Sequence, residues 1–427
     1  MISKYNLINE ELLADILSVS RRTIQQWISN KTIIPKKITQ NKAFFCMNDL
    51  KHFNQINEML SSKWDNEDVI PVRDFFCLEL FAGAGGMALG FEKAGMKSVG
   101  LNEINKDACE TLRTNRKNWN IIENDIKDID FTKYNGIDFL SGGFPCQSFS
   151  YAGKKLGFED TRGTLFFEFA RAIKEINPKM FLAENVRGLL THENGKTLDT
   201  IKSIINELGY HLIEPTVLKA IFYKVPQKRE RLFLVGIRKD LLCYSNFEWP
   251  SKYHQIMTVK DALKKGELYS VDCPDSDGQK YPKRKKEILK LVPEGGSWKD
   301  LPLDIQKEYM KSSFFMGGGK TGMARRLSWD LPSLTLTCAP AQKQTERCHP
   351  EETRPLTIRE YARIQTFPDD WIFKGSLSSQ YKQIGNAVPV NLAFAVGRKI
   401  VKCLNSIEQK NINKIKKSKE NQQEFEF

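Results

Sequence analysis

Histidine is scarce in this chain of 427 residues, with five in all, and its nine cysteines include no Cys-x-x-Cys pair. Scattered histidines and unpaired cysteines match no zinc pattern, and an odd cysteine count closes no disulfide framework, so no metal is expected. Long apolar runs are missing too. Nothing approaches the roughly 18 residues of a membrane span, and the start, MISKYNLINEELL, lacks the apolar stretch of a signal peptide. A reduced, cytoplasmic setting in a bacterium with no membrane partner is expected. Acidic residues are the last shortage: 52 Asp plus Glu stand against 65 Lys plus Arg, a net charge of +13. Such a surplus suits an anionic partner, nucleic acid first, although a basic soluble protein would show it too.

Hydrophobic residues make up 41%, enough for packed cores, and the length allows two or three domains. Residues 1–56 read as a small helical module, and the polar stretch 57–73 with its proline as a linker. From Asp74 strands and helices alternate. FFCLELF (75–81), IDFLSGG (137–143), KMFLAEN (179–185) and RLFLVGI (231–237) are short, continuously apolar strands, which predicts a Rossmann-like α/β domain over 74–240 with helices on both faces of a mainly parallel sheet. Residues 241–353 are rich in Lys, Gly and Pro with weak periodicity and form a smaller second domain. Helical patterning returns over 354–405 to complete the first domain, and 406–427 is expected to be a basic, disordered tail.

The stretch LADILSVSRRTIQQWISNKTI (13–33) has helix-turn-helix spacing, with Ser20 as N-cap of the second helix and Ile24 and Trp27 on its buried face. Arg21, Arg22, Gln25 and Gln26 then point outward, residue types suited to phosphates and base edges in a major groove. The segment 33–45 follows as a wing-like hairpin. A plain helical hairpin packed on the main domain is the alternative.

FAGAGG (81–86) closes the first strand and opens a helix, so its glycines let backbone N–H groups approach a ligand. Glu103, about 20 residues on, is placed for ribose hydroxyls and Asp125 for an adenine amino group. This arrangement serves NAD or S-adenosylmethionine equally. GGFPCQSFSYAG (142–153) then puts Cys146 at a strand's C-terminal end among hydroxyl-bearing neighbours, AENVRG (183–188) supplies Glu184, and VPQKRERLFLVG (225–236) supplies Arg229 and Arg231. A thiol, a carboxylic acid and two guanidinium groups on one face fit attack on cytosine. A thiolate adding to carbon 6 makes carbon 5 nucleophilic; Glu184, protonated, donates to N3 while Arg231 meets O2. The base must leave the duplex to be reached.

The ordered series FAGAGG, Glu103, NDI, GGFPCQSFS, GFEDTRGTLFF, ENV, QKRER, RPLTIREYARIQTFPDDW and QIGNAVPVN resembles the motif set of DNA cytosine-5 methyltransferases over most of 75–404. The likeness implies a methyltransferase sheet with one antiparallel strand, S-adenosylmethionine as cofactor, double-stranded DNA as substrate and a cognate restriction endonuclease as functional partner. It implies that Phe81, Ala84 and Gly85 line the cofactor, that Glu103 with Ile104 holds the ribose, and that Asp125 with Ile126 meets the adenine. Pro145 and Leu165 border the methionine side, Asn386 and Val388 close the site, and Cys146, Glu184, Arg229 and Arg231 are catalytic. Residues 145–165 correspond to a closing lid, and 241–353 to the target-recognition region, where Thr335 and Leu336 match a DNA-contacting pair. Two other readings stand beside it: a transfer-RNA cytosine methyltransferase, and a transcription regulator in which residues 1–56 carry the activity.

Overall fold

The computed structural model describes the backbone of residues 7–39, 42–66, 68–145, 165–317 and 322–423, with side chains as far as residue 410. The N-terminal part runs β1 (Leu7–Asn9), α1 (Glu10–Leu17), α2 (Arg21–Ser29), β2 (Lys37–Thr39), β3 (Lys42–Cys46) and α3 (Asn54–Leu60). Asn9 caps α1 by accepting from the Glu11 and Leu12 N–H groups, and Ser20 caps α2 by accepting from Thr23 N–H. Ser18, at φ 61°, turns the chain between the two helices. The strands pair antiparallel in the order β1–β3–β2.

This part is not set apart by a bare linker. Met59 and Trp64, within the stretch expected to be a linker, are buried. Ile16, Ile24, Phe45 and Trp64 belong to the same apolar cluster as Phe75, Leu392 and Leu404 of the main domain. Asp15 pairs with Lys228 at 2.6 Å, and the Arg398 guanidinium donates to Trp64 O at 2.8 Å while lying over its ring. Apolar burial and these two anchors fix this part on the main sheet.

The main sheet and the segments around it run β4 (Phe76–Leu80), α4 (Gly86–Lys93), β5 (Lys97–Glu103), α5 (Lys106–Asn115), β6 (Ile121–Glu123), β7 (Phe139–Gly142), α6 (Leu165–Ile176), β8 (Met180–Asn185), α7 (Lys196–Glu207), β9 (Tyr210–Leu212), β10 (Thr216–Lys219), β11 (Gln227–Lys228), which lies outside the sheet, and β12 (Glu230–Arg238). Its order is β10–β12–β8–β7–β4–β5–β6, with β9 also on β12. β4, β5, β6, β7 and β8 pair parallel, and β12 runs antiparallel to β8, β9 and β10. β12 is therefore the one reversed strand. The core strands are buried on both faces, which is why they read as unbroken apolar runs.

Residues 241–353 contribute α8 (Val259–Leu263), α9 (Lys283–Lys290), α10 (Leu303–Met310) and β13 (Ser333–Leu334), which pairs parallel with β11. A small core of Ile288, Leu289, Val292, Met310 and Met323 holds this region. Buried Arg326 donates to the carbonyls of Leu289 and Val292, both at 2.8 Å, and of His349 at 3.1 Å. Those bonds satisfy a carbonyl in the last turn of α9 and the irregular backbone at Val292 and His349. α11 (Ile358–Ile364), α12 (Leu377–Asn386) and α13 (Val390–Gln423) follow. α13 packs on α4, where a methyl at Gly90 would lie 2.4 Å from Ala393 Cβ. The helix continues to Gln423 where a disordered tail was expected from 406. Its Lys, Glu and Gln residues are good helix formers, and its first turns are anchored in the core.

Candidate active site

The chain leaves β4 through a strained turn. Phe81 sits at φ 59°, Gly83 at 54° and Gly85 at 83°, and a left-handed phenylalanine costs about 1–3 kcal/mol. The turn aims the Gly83 N–H at Glu103 Oε2 (2.8 Å), while Glu103 Oε1 accepts from the Ile104 and Asn105 N–H groups at 2.9 and 2.8 Å. Three backbone donors thus lock this carboxylate at the C-terminal end of β5, with lone pairs left for hydroxyl donors. Asp125 caps the next short helical turn by accepting from Lys127 N–H at 3.1 Å. Exposed Ile104 and buried Ile126 flank it as apolar surfaces.

These groups open on one cavity of about 620 Å³, which also reaches the ends of β7, β8 and β12. Pro145, Leu165, Asn386 and Val388 line it together with Glu184 and Arg231. At its far end Arg231 Nε lies 2.5 Å from Glu184 Oε1, and both side chains are largely buried. A methyl at Gly143 would lie 2.9 Å from Glu184 Oε2, so glycine is what lets the carboxyl come this close to the strand end. Asn185 donates to Phe144 O at 2.9 Å and fixes the chain where it enters Pro145. Cys146 follows Pro145 directly and lies outside the described residues, as do residues 147–164 of the segment 145–165 expected to form a lid.

Glu79 is a lining residue not anticipated from the sequence. It is 2% exposed, both carboxylate oxygens have no hydrogen-bond partner among the described residues, and burial, with Glu103 nearby, pushes its carboxyl well above the usual range. The signal was a single acid inside the apolar strand FCLEL. Asn102, Asn105, Lys382 and Gln383 line the cavity as well.

Several expected residues stand elsewhere. Ala84 and Gly85 are not on the cavity wall. The turn rotates them away from the cavity into a packed apolar cluster, where a methyl at Gly85 would meet Leu112, Trp119 and Trp371; Gly83 and Gly86 face the cavity instead. Arg229, 1% exposed, is a buried bracket rather than a cavity group: it donates to Leu336 O at 3.2 Å, Gly385 O at 2.9 Å and Asn386 O at 3.3 Å. Burial pushes its guanidinium down to about 9, a penalty that these carbonyls and Glu184 offset. Thr335 and Leu336 are occupied inside the protein. Thr335 Oγ1 donates to Lys228 O at 2.7 Å, and Leu336, buried, donates its N–H to Gln227 Oε1 at 2.9 Å. In the N-terminal module Arg22, Gln25 and Gln26 are exposed, whereas Arg21 is turned back onto Glu10 and Glu11 of α1. No group of three His, Cys, Asp or Glu side chains that could hold a metal occurs among the described residues. No helix there is long and apolar enough to cross a membrane.

A family model described as C-5 cytosine-specific DNA methylase matches residues 75–402. The chain is 65% identical over 411 residues to the type II methyltransferase M.Eco47II of Escherichia coli, covering 95% of this chain and 99% of that one. It is 60% identical over 404 residues to M.PspPI of Psychrobacter sp. strain TA137, covering 94% and 97% respectively. Among solved structures, a prophage-encoded DNA modification methyltransferase of Escherichia coli shares the fold at a TM-score of 0.56 and 24% identity, over 78% of this chain and all of that one. With the catalytic sheet, the shared cavity and these matches together, the chain belongs to the C-5 cytosine-specific DNA methylase family and is a DNA cytosine-5 methyltransferase.

Proposed function

We propose that the protein methylates carbon 5 of a cytosine within a short duplex DNA site, with S-adenosylmethionine as methyl donor. The observation that carries this is the single cavity: a nucleotide-binding end built on Glu103 and Asp125 opens into the Glu184–Arg231 end without a wall between them. The cavity fits that cofactor on its own chemistry. Glu79, a buried carboxyl without a partner among the described residues, suits an ammonium or sulfonium charge; Glu103 suits ribose hydroxyls; Asp125 suits an exocyclic amine. When bound, the cofactor supplies the methyl group.

The chain's own residues account for the rest of the reaction. Cys146 adds to carbon 6 of a flipped cytosine, and the charge that develops on the ring is met by Arg231 at O2 and by a proton held between Glu184 and N3. Once carbon 5 carries the methyl group, its proton passes to water and the bond from Cys146 to carbon 6 breaks, which releases the thiolate and restores the aromatic ring. Glu184 does not stand alone as a donor. It faces Arg231, and the entering base parts that pair. Asn185 sets the direction of the Cys146 loop through Phe144 O. Arg229 acts at one remove, by holding the Asn386 wall beside the strand that carries Arg231.

We further propose the division into residues 1–56, 74–240 with 354–405, and 241–353 as DNA-binding, catalytic and target-recognition parts. The type II designation of the relatives supports a modification role beside a partner nuclease. The exposed Arg22, Gln25 and Gln26 support DNA contact by α2, through which the module regulates transcription of its own operon. Bisulfite sequencing of DNA from cells expressing the chain tests the main reading. One short sequence with protected cytosines is expected, and unmodified DNA alongside modified transfer RNA would overturn it.

A further inference from the structure

One end of α1 collects basic side chains from three other parts of the chain. Glu11 and Asp15 stand one helical turn apart on this helix. Glu11 pairs with Arg21 of α2 at 3.2 Å. Arg325, from the region 241–353, lies within the field of the same carboxylate: burial pushes its guanidinium down, and Glu11, ahead of Asp300, pushes it back up. Asp15 pairs with Lys228 of β11 at 2.6 Å, and both side chains are mostly buried. Where the helix stops, the hydroxyl of Ser18 accepts from the Lys219 ammonium of β10. That ammonium lies 3.8 Å from Glu230 of β12, the neighbour of Arg231.

Lys228 sits at a joint. β11 and β13 pair over two residues, Gln227 with Ser333 and Lys228 with Leu334, and so short a ladder is marginal on its own. It ties the region 241–353 to the strand that runs on into Arg229 and Arg231. The main chain of Lys228 serves the joint, since its carbonyl accepts from Thr335 Oγ1 at 2.7 Å, and the next residue, Arg229, donates to Leu336 O. Its side chain reaches the other way, to Asp15. Among the described residues, none before Glu79 lines the cavity. α1 therefore bears on the joint from outside the site.

We propose that Asp15 is a positioning residue: through Lys228 it holds the β11–β13 joint in place, so that the region 241–353 and the Glu184–Arg231 end meet on the same cytosine. The proposal rests on the DNA-methylation reading, and it gives the N-terminal part a role in methyl transfer itself, beside DNA contact by α2. The reason is geometric. One part of the chain holds the duplex and another attacks the base, and a misplacement of about 1 Å between them can cost about 100-fold in rate. Without Asp15 the Lys228 ammonium turns to solvent, and the joint loses a restraint that the short ladder does not replace.

The test measures single-turnover methyl transfer from labelled S-adenosylmethionine to a duplex carrying the site found by bisulfite sequencing, at saturating DNA. It compares the wild-type full chain with Asp15→Asn, Lys228→Met and the double variant. Asp15→Asn keeps the side chain's shape, and the Lys228 it releases is partly exposed, so the thermal midpoint should fall by about 4 °C at most. The transfer rate should fall about 10- to 100-fold. Affinity for S-adenosylhomocysteine should stay unchanged, because the Glu79 and Glu103 end is untouched. The double variant should be no slower than about twofold below the slower single variant, since all three remove one contact. A rate within twofold of wild type in Asp15→Asn would overturn the proposal, even with weaker DNA binding. Losses that multiply in the double variant would mean two independent roles and overturn it as well. A loss that disappears on cooling, in step with the folded fraction seen by circular dichroism, would make the pair merely structural and overturn it equally. Failure of the underlying reading is distinguishable, since the wild-type chain itself would then form no adduct with 5-fluorocytosine DNA.

Discussion

Replacing Glu184 with Gln keeps the shape of the side chain and a carbonyl oxygen facing Arg231, and removes the group's capacity to carry a negative charge or to pass a proton. In the structure that oxygen lies 2.5 Å from Arg231 Nε in a largely buried setting, so a hydrogen bond to the guanidinium survives at reduced strength. Losing the charge-assisted part of one such bond costs about 1–2 kcal/mol of stability. The catalytic loss is larger. General acid–base participation is worth about 10²- to 10⁴-fold, or about 3–5 kcal/mol on the barrier. The two effects separate in a single-turnover assay of labelled methyl transfer to duplex DNA run beside urea denaturation. The expected outcome is a rate lowered at least 100-fold, a modest fall in the denaturation midpoint, and unchanged affinity for the cofactor product S-adenosylhomocysteine. A rate within tenfold of wild type would refute the assignment of proton transfer to Glu184.

Other perturbations read other parts of the cavity. Burial raises the Glu79 carboxyl, so its contribution to stability is complete at acid pH and is lost as pH rises through that raised value. A cationic cofactor reverses the penalty, so the cofactor-induced rise in thermal midpoint should grow with pH. Glu79→Gln should abolish that pH dependence and weaken cofactor binding about tenfold, measured by calorimetry. Gly86→Ala places a methyl 2.3 Å from Val388 O. It should cost about 1–3 kcal/mol by overpacking and weaken cofactor binding with it, whereas unchanged affinity would mean the Val388 wall is not used. Exchanging Arg22, Gln25 and Gln26 together for Ala should spare methylation and abolish retardation of a fragment carrying the upstream region of the chain's own operon. Loss of methylation instead would make that face part of the catalytic complex.

The strands and the residues at their ends were legible because buried parallel strands read as apolar runs, and a ligand crevice forms where they stop. Glu103, Asp125, Glu184 and Arg231 all meet in the cavity for that reason. Side-chain direction inside irregular backbone was not legible. Ala84 and Gly85 face away because positive φ at Phe81, Gly83 and Gly85 reorients the turn. Arg229 and Arg231 share a strand face by alternation, yet Arg229 falls between β11 and β12, where carbonyls of α12 and Leu336 take its donors. The region 241–353 hid its helices because Arg326 and short apolar stretches, rather than periodic faces, hold it together. Glu79 was visible as an acid in an apolar strand and gains its meaning only from the cavity beside it.

The most direct test of the central claim is covalent capture of Cys146. The wild-type chain, incubated with cofactor and duplex DNA carrying 5-fluorocytosine at its site, should form an adduct stable in denaturing gels, with the peptide containing Cys146 carrying the base. Cys146→Ser should bind S-adenosylhomocysteine normally and form none. An adduct that persists in Cys146→Ser, or maps to another cysteine in the wild type, would contradict the account.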